Sequence, residues 1–422
     1  MKNKDYKKRL VDAKLVSLLR IFGGVLIVGP KWCGKSWTAS NIAESEVFID
    51  AEDNKRRAHL IPDTVLDGPA PRLIDEWQDA PVLWDAARRL IDKEHRPGMF
   101  IFTGSTDPDM LNGEMPSHTG TGRFARMRMR TLSLYEENVS NGNIAISGLF
   151  DKKSFKPCAS EMNFMKALQL ICKGGWPASF WIPETNSPLI AAQYLNMVIE
   201  EDINKADGIK RDPALVRLFL RSLARNSATP VKATSIKADI SEREGDEISE
   251  QTVRSYYESL IKIFVIEEQD AWTPSLRSRR RIRTTPKRHF TDPSLAAAAL
   301  GATPEILVND IKTAGFLFKS LCFRDLSVYM DALGGNVYHY HDKDELEADA
   351  ILQLPDGRWG AVEIKLGTYE FDNAAANLLK LKKKLTGETL PPSFLAIVTA
   401  SGGMAWQRDD SVFVIPIDCL AP

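Results

Sequence analysis

A short apolar run, Val25–Val28, leads straight into Gly29-Pro30-Lys31-Trp32-Cys33-Gly34-Lys35-Ser36. This Gly-x4-Gly-Lys-Ser pattern allows little freedom to what surrounds it. Its backbone N–H groups must curl around an anion, which needs a strand before the loop and a helix N-terminus after it. Gly29 and Gly34 let the backbone curl with no Cβ in the way. Lys35 places a point charge on β and γ phosphates, and Ser36 offers a hydroxyl to Mg²⁺. Pro30, Lys31, Trp32 and Cys33 complete the loop, and Trp37 opens the helix behind it. Cys33 reads as a small filler rather than a reactive thiol. The pattern predicts a site for ATP with Mg²⁺.

The surrounding sequence alternates strand and helix. Tyr6–Arg20 has leucines at helical spacing, and Val47–Asp50, Leu73–Asp75 and Met99–Thr103 are further short apolar runs. Strands separated by helices predict a parallel sheet covered on both faces. Arg72-Leu-Ile-Asp75-Glu76 is a buried strand ending in two carboxylates, forty residues after Lys35. It has the form of a Walker B motif, with Asp75 holding Mg²⁺ and Glu76 polarising the attacking water. Thr103 or Ser105, at the tip of the next strand, is positioned to sense the γ-phosphate; a plain turn is the alternative. Gly122–Arg130 alternates basic and apolar residues. Arg123 first, then Arg126, is a candidate arginine finger, in cis or from a neighbouring subunit. A solvated strand face is the alternative.

From about Asn163 to Phe219 the pattern is helical, broken at Gly174-Gly-Trp-Pro177. Short helices at Val231–Ile240 and Glu250–Phe264, then strand-like Phe264–Glu268, follow the order of a winged helix. Arg277–His289 carries seven Lys or Arg and no acid, which suits a phosphate backbone or a domain interface. The C-terminal part predicts a helix at Gly315–Tyr329, a hairpin of Ala350–Leu354 with Trp359–Lys365, a Lys-rich helix at Asn373–Leu385 and a strand at Ser393–Thr399. A hairpin centred on Asp356 places Asp349 opposite Glu363; one centred half a residue later pairs Asp349 with Ile364. Glu363 and Lys365 share a face. Two facing carboxylates can hold a divalent metal, with Lys365 steadying water or phosphate.

The loop together with Leu-Ile-Asp-Glu-Trp-Gln and Thr-Gly-Ser resembles the prokaryotic AAA-type ATPases that carry a DUF4143 domain. Gly174-Gly-Trp-Pro177, Thr285-Pro-Lys-Arg-His-Phe-Thr-Asp-Pro293 and Gly315-Phe-Leu-Phe318 extend the resemblance over essentially the whole chain. It implies a P-loop NTPase α/β domain at 1–150, a helical linker or lid at 151–228, a winged-helix-like module at 229–290 and an α+β domain similar to PD-(D/E)xK nucleases at 291–422. One departure matters. That family usually has a glutamate after the Leu-Phe pair, where this chain has Lys319. A metal site of this type often draws a ligand from that helix, so both an active nuclease and an inactive version of the fold stay open. The resulting expectation is an ATP-hydrolysing switch or motor with a nuclease-like effector, acting on DNA and forming a homo-oligomer if the finger works in trans. The rival is a scaffold that binds ATP without turnover.

Composition bounds the remainder. The 422 residues predict two to four domains, and 55 basic against 56 acidic residues give a formal charge of -1, which excludes a globally basic nucleic-acid binder. No apolar run approaches the roughly 18 residues that span a bilayer. Five scattered cysteines without a Cys-x-x-Cys pair argue against disulfides and structural zinc. A cytoplasmic protein without membrane contact is expected.

Overall fold

The strand before the glycine loop, β1 (Gly24–Val28), is buried at every position. Its neighbours explain why. In the computed structural model it lies between β4 (Phe100–Gly104) and β5 (Phe124–Arg128), beyond which come β3 (Arg72–Asp75) and β2 (Ser45–Phe48). The order is β2-β3-β4-β1-β5, and every pair is parallel. The structure describes residues 6–104, 119–153, 155–244, 248–274 and 284–422.

Side chains of a strand alternate between faces, so each strand serves two cores. Val25, Ile27, Leu73, Ile101 and Met127 pack with Leu15 and Leu19 of the helix Val11–Leu19. Leu26, Val28, Ile74, Phe100 and Phe102 pack instead with Trp77 and with Leu83 and Trp84 of the helix Val82–Glu94. Each such side chain contributes about 1.5–3 kcal/mol by leaving water. Aromatic rings thicken the second core: Trp84 stacks on Phe124 at 4.1 Å between centroids.

The chain divides into two compact units. The first holds the residues up to Thr131 together with Glu200–Arg211 and Tyr257–Val265. Its boundary therefore falls before residue 150, and it recruits two later segments that composition did not mark. Phe264, from one of them, belongs to the same core as Trp77 and Trp84.

The second unit holds Leu132–Ile199, Asp212–Tyr256 and Ile266–Pro422. Short strands β6 (Ile144–Ala145) and β7 (Cys158–Ala159) precede β8 (Ile266–Gln269) and β9 (Lys287–Phe290), which pair antiparallel. Then come β10 (Asn336–His341), β11 (Glu347–Gln353), β12 (Trp359–Lys365), β13 (Leu395–Thr399), β14 (Met404–Gln407), β15 (Phe413–Pro416) and β16 (Leu420–Ala421). The main sheet runs β10-β11-β12-β13-β15-β14-β7, antiparallel at β10-β11-β12 and parallel at β12-β13-β15. The helix Ile311–Ala332, buried along most of its length, and the helix Phe371–Lys384 pack on this sheet. The latter fills a core with Ile351, Trp359 and Ile397 through Ala374, Leu378 and Leu381. Leu352 opposite Gly360 and Gln353 opposite Trp359 centre the β11–β12 hairpin on Asp356, so the first of the two registers is the one adopted. Among the described residues no helix is long and apolar enough to cross a membrane.

Candidate nucleotide site and a second carboxylate pair

The glycine loop joins β1 to the helix Lys35–Ile42. Gly29 has φ +154°, and a Cβ there would stand 2.2 Å from the Met129 carbonyl oxygen. Gly34 caps the helix in the left-handed region at φ +98°. A side chain at either position would move the loop. Lys35 Nζ donates to the carbonyl oxygens of Gly29 (3.0 Å) and Pro30 (2.8 Å). Its ammonium is thus held against the loop's own backbone. The guanidinium of Arg9 secures the loop from behind, donating to Cys33 O at 2.9 Å and, on the far side, to Arg130 O at 2.9 Å. Cys33 is fully buried, as a filler would be, and Trp32 and Trp37 are both exposed.

The carboxyl ends of β1, β3 and β4 bring the remaining groups together. Ser36 Oγ donates to Asp75 Oδ1 at 2.8 Å, and Thr103 Oγ1 donates to the same oxygen. Residue Asp75 pairs with Thr103 in the β3–β4 ladder, so adjacent strand ends deliver both side chains. Glu76 follows in a left-handed conformation, φ +51°. The turn redirects its carboxylate, which accepts a hydrogen bond from Gln78 Nε2. Burial raises the Glu76 pKa, against the Gln78 hydrogen bond and the Lys35 charge. A hydroxyl and two carboxylates beside a phosphate-binding loop, one of them with its pKa raised by burial, can hold a metal–phosphate complex and accept a proton from water.

Two expectations need correction. Arg123 does not approach the loop within its own chain. It precedes β5 at the end where Phe124 faces Gly24, about 13 Å along the strand from Val28 at 3.3 Å per residue. Its guanidinium instead pairs with Asp92 at 2.8 Å. Arg126 sits opposite Leu26, midway along the edge strand, and is exposed. Arg128 is the one opposite Val28, with its guanidinium carbon 5.6 Å from the Phe264 ring centre. Ser105 and Arg277–Arg283 lie outside the described residues.

The second correction concerns Asp349 and Glu363. Continuing the hairpin register by one pair sets them face to face, as expected, and both are buried. Yet the charge beside them is supplied by lysines. Lys319, from the helix Ile311–Ala332, places Nζ 2.6 Å from Asp349 Oδ1, and Lys287 of β9 stands at 3.7 Å from the same oxygen. Ile364 N donates to Asp349 Oδ2 at 2.9 Å. Lys365 lies 3.3 Å from Glu363 Oε2, and Asn377 donates to Glu363 Oε1 at 2.8 Å. Burial opposes ionisation of Asp349, but the two ammonium groups outweigh it and hold the carboxyl well below the usual range. Burial and the Asp349 charge push Glu363 the other way. This donor set does not fit a divalent cation: an ammonium occupies the oxygen that a metal needs, and among the described residues no three His, Cys, Asp or Glu side chains gather as ligands.

Comparison with known families covers most of the chain in three pieces. Residues 23–138 match the AAA domain, 166–306 a domain of unknown function (DUF8612) and 314–420 a further domain of unknown function (DUF4143). The chain thus carries an AAA domain and, C-terminal to it, a DUF4143 domain. Two uncharacterized proteins, of Mycobacterium tuberculosis and Mycobacterium bovis, are each 22% identical to it over 365 residues, 85% of this chain and 74% of theirs. Among solved structures, a Walker-type ATPase of Pyrococcus abyssi is similar with 14% identity and a TM-score of 0.43, over 71% of this chain and 97% of that one. A Vibrio cholerae protein gives 10% identity and a TM-score of 0.20, over 94% of each chain.

Two of the stretches that carried the resemblance, Gly174–Pro177 and Thr285–Pro293, meet around a buried arginine. Arg324, 2% exposed, donates through Nη1 to Asp292 Oδ2 at 3.0 Å and through Nε to Asp325 Oδ1 at 2.9 Å. Asp292 also accepts from Gly175 N at 2.9 Å and from the hydroxyl of Ser294, which itself takes the Trp176 indole N–H. Asp325 accepts from Leu134 N at 2.9 Å. A charged pair at consecutive positions between the apolar residues Leu321–Phe323 and Leu326 was the available signal of a buried network.

Proposed function

We propose that the chain binds Mg·ATP at Gly29–Trp37 and hydrolyses it with Asp75 and Glu76, as a switch whose output is a winged-helix module and a nuclease-like domain that binds without cutting. The observation that carries the ATPase half is the convergence of Ser36 and Thr103 on one Asp75 oxygen. Ser36 and Asp75 would hold the Mg²⁺, which supplies charge neutralisation for the phosphates when bound. Lys35 exchanges its loop carbonyls for phosphate oxygens. Glu76, its pKa raised by burial, accepts the proton of the attacking water, and Gln78 orients its carboxylate. Arg123, if it acts as a finger, does so from a neighbouring subunit, which makes a homo-oligomer part of this reading.

The order helix Ile311–Ala332, β10, β11, β12, helix Phe371–Lys384, β13, with β13 parallel to β12, supports a PD-(D/E)xK-like reading of the C-terminal domain. Lys319 on Asp349 favours recognition over cleavage. Helices Pro213–Arg225, Ala233–Glu244 and Glu250–Lys262 followed by the β8–β9 pair support the winged-helix reading. DNA is the proposed target, and five free cysteines suit the cytoplasm. The test is ATP turnover with and without duplex DNA, alongside DNA binding and DNA integrity in Mg²⁺ or Mn²⁺. The reading expects ATP turnover and retained but uncut DNA. Asp349-dependent cleavage would overturn the non-cutting half.

A further inference from the structure

The nucleotide site contains a residue that no Walker motif supplies. Lys31, two positions after Gly29, donates through Nζ to Asp202 Oδ1 at 2.7 Å. The two are 171 residues apart, and Asp202 lies outside the stretch that matches the AAA domain. The lysine side chain is 41% exposed, whereas that of Asp202 is only 8% exposed. A carboxylate so buried needs a partner, and a surface lysine does not. The pair is therefore built from the Asp202 side.

Asp202 is itself held in place. It ends a π-helical turn, Val198–Asp202, that follows the helix Pro188–Met197. Such wide turns occur mostly as single-turn bulges within helices, frequently at functional sites. Behind it, buried Arg211 donates to the Ile203 carbonyl at 2.9 Å, to Asp207 and to Ser259 Oγ at 2.8 Å. Ser259 donates to Asp207 Oδ2 at 2.8 Å. Five residues on, Phe264 enters the core shared with Trp77 and Trp84. Residues 200–211 thus form a braced element fixed to the phosphate loop at Lys31 and, through 257–265, to the sheet's core. Lys31, residues 200–211, residues 257–265 and that core fall in one compact unit.

We infer that Asp202 is a positioning residue of the ATPase: by holding Lys31 it fixes the outer turn of the phosphate loop, so the AAA stretch alone is an incomplete nucleotide site. The loop binds phosphate through backbone N–H groups, and these work only if the turn is already ordered. Trp32, next to Lys31, is in the left-handed region at φ 62°, a conformation that costs free energy and persists only where neighbours enforce it. With the Lys31 ammonium engaged by Asp202, its task is mechanical and Lys35 meets the phosphates.

This inference rests on the proposed ATP site, so the experiment separates the two. ADP affinity by calorimetry, steady-state ATP kinetics and thermal unfolding are measured on the full chain for wild type, Asp202→Asn, Lys31→Met and the double variant. The expected result is ADP binding weakened about tenfold and KM raised by a similar factor in each single variant, with the double variant no worse than either. Asp202→Glu recovers part of the affinity, and the unfolding midpoint of Lys31→Met matches wild type. Wild-type ADP binding with unchanged affinity in Asp202→Asn would overturn the inference alone. So would multiplying effects, or a Lys31→Met defect much larger than that of Asp202→Asn, since Lys31 would then touch phosphate itself. A wild type that binds no ADP would overturn the nucleotide site.

Discussion

Ser36 and Asp75 are joined by a 2.8 Å hydrogen bond from hydroxyl to carboxylate, although 39 residues separate them. The bond ties the end of the phosphate loop to the end of β3. Thr103 donates to the same carboxylate oxygen, so the first turn of the helix after the loop and the end of β4 share one acceptor at the end of β3. Asp75→Ala is expected to lower ATP turnover at least about 100-fold, because a metal ligand of this kind contributes several kcal/mol to the transition state. Thr103→Val, which removes only one donor, is expected to cost about tenfold. Steady-state phosphate release at saturating ATP reads both.

Glu76 predicts the pH dependence. Its pKa is raised by burial, so the protonated form persists to higher pH than in an ordinary glutamate near 4.3. The reactive form is the carboxylate. Turnover therefore falls as pH drops, with an acid limb above the ordinary glutamate range. Gln78→Ala removes the hydrogen bond that favours the charged form and should move that limb to still higher pH. A pH profile of kcat for wild type and Gln78→Ala checks the sign.

Lys319 holds Asp349 ionised inside the protein. Lys319→Ala leaves that carboxylate with Lys287 at 3.7 Å, and a loss of about 3 kcal/mol is expected, at the lower end for breaking a buried pair. Chemical denaturation measures it. The folded-state pKa of Asp349 is depressed, so this contribution is present in full above the unfolded value near 3.9 and is lost as pH falls through the folded value. Lys319→Glu should instead create Asp349-dependent Mn²⁺ binding that wild type lacks, read by electron paramagnetic resonance of nucleotide-free protein.

Arg324 faces two buried carboxylates, Asp292 and Asp325. Arg324→Met strands both, and about 3–5 kcal/mol of stability should be lost. ADP affinity of the folded fraction should not change, because none of these residues belongs to the nucleotide site.

The sequence revealed the glycine loop, the paired strand-end carboxylates and the hairpin holding Asp349 and Glu363, because each is a local pattern whose spacing carries its geometry. The place of Arg123 in the sheet was not legible for a related reason. Alternating basic residues identify a strand face, but only the register against β1 tells which end of the sheet Arg123 occupies. Asp202 was invisible, since nothing within several residues of it distinguishes it from any helical carboxylate; its partner is 171 positions away. Lys319 stood out as an odd residue in the resemblance. Its place 2.6 Å from Asp349 depends on how the helix Ile311–Ala332 packs on β11, a tertiary fact that no local pattern encodes.

Hydrolysis at the loop is the central claim, and one comparison tests it most directly: Mg²⁺-dependent phosphate release by the full chain, by Lys35→Ala and by Glu76→Gln. The account predicts turnover in wild type only, with Glu76→Gln still binding ATP and Lys35→Ala binding it poorly. Equal background release from all three would contradict it.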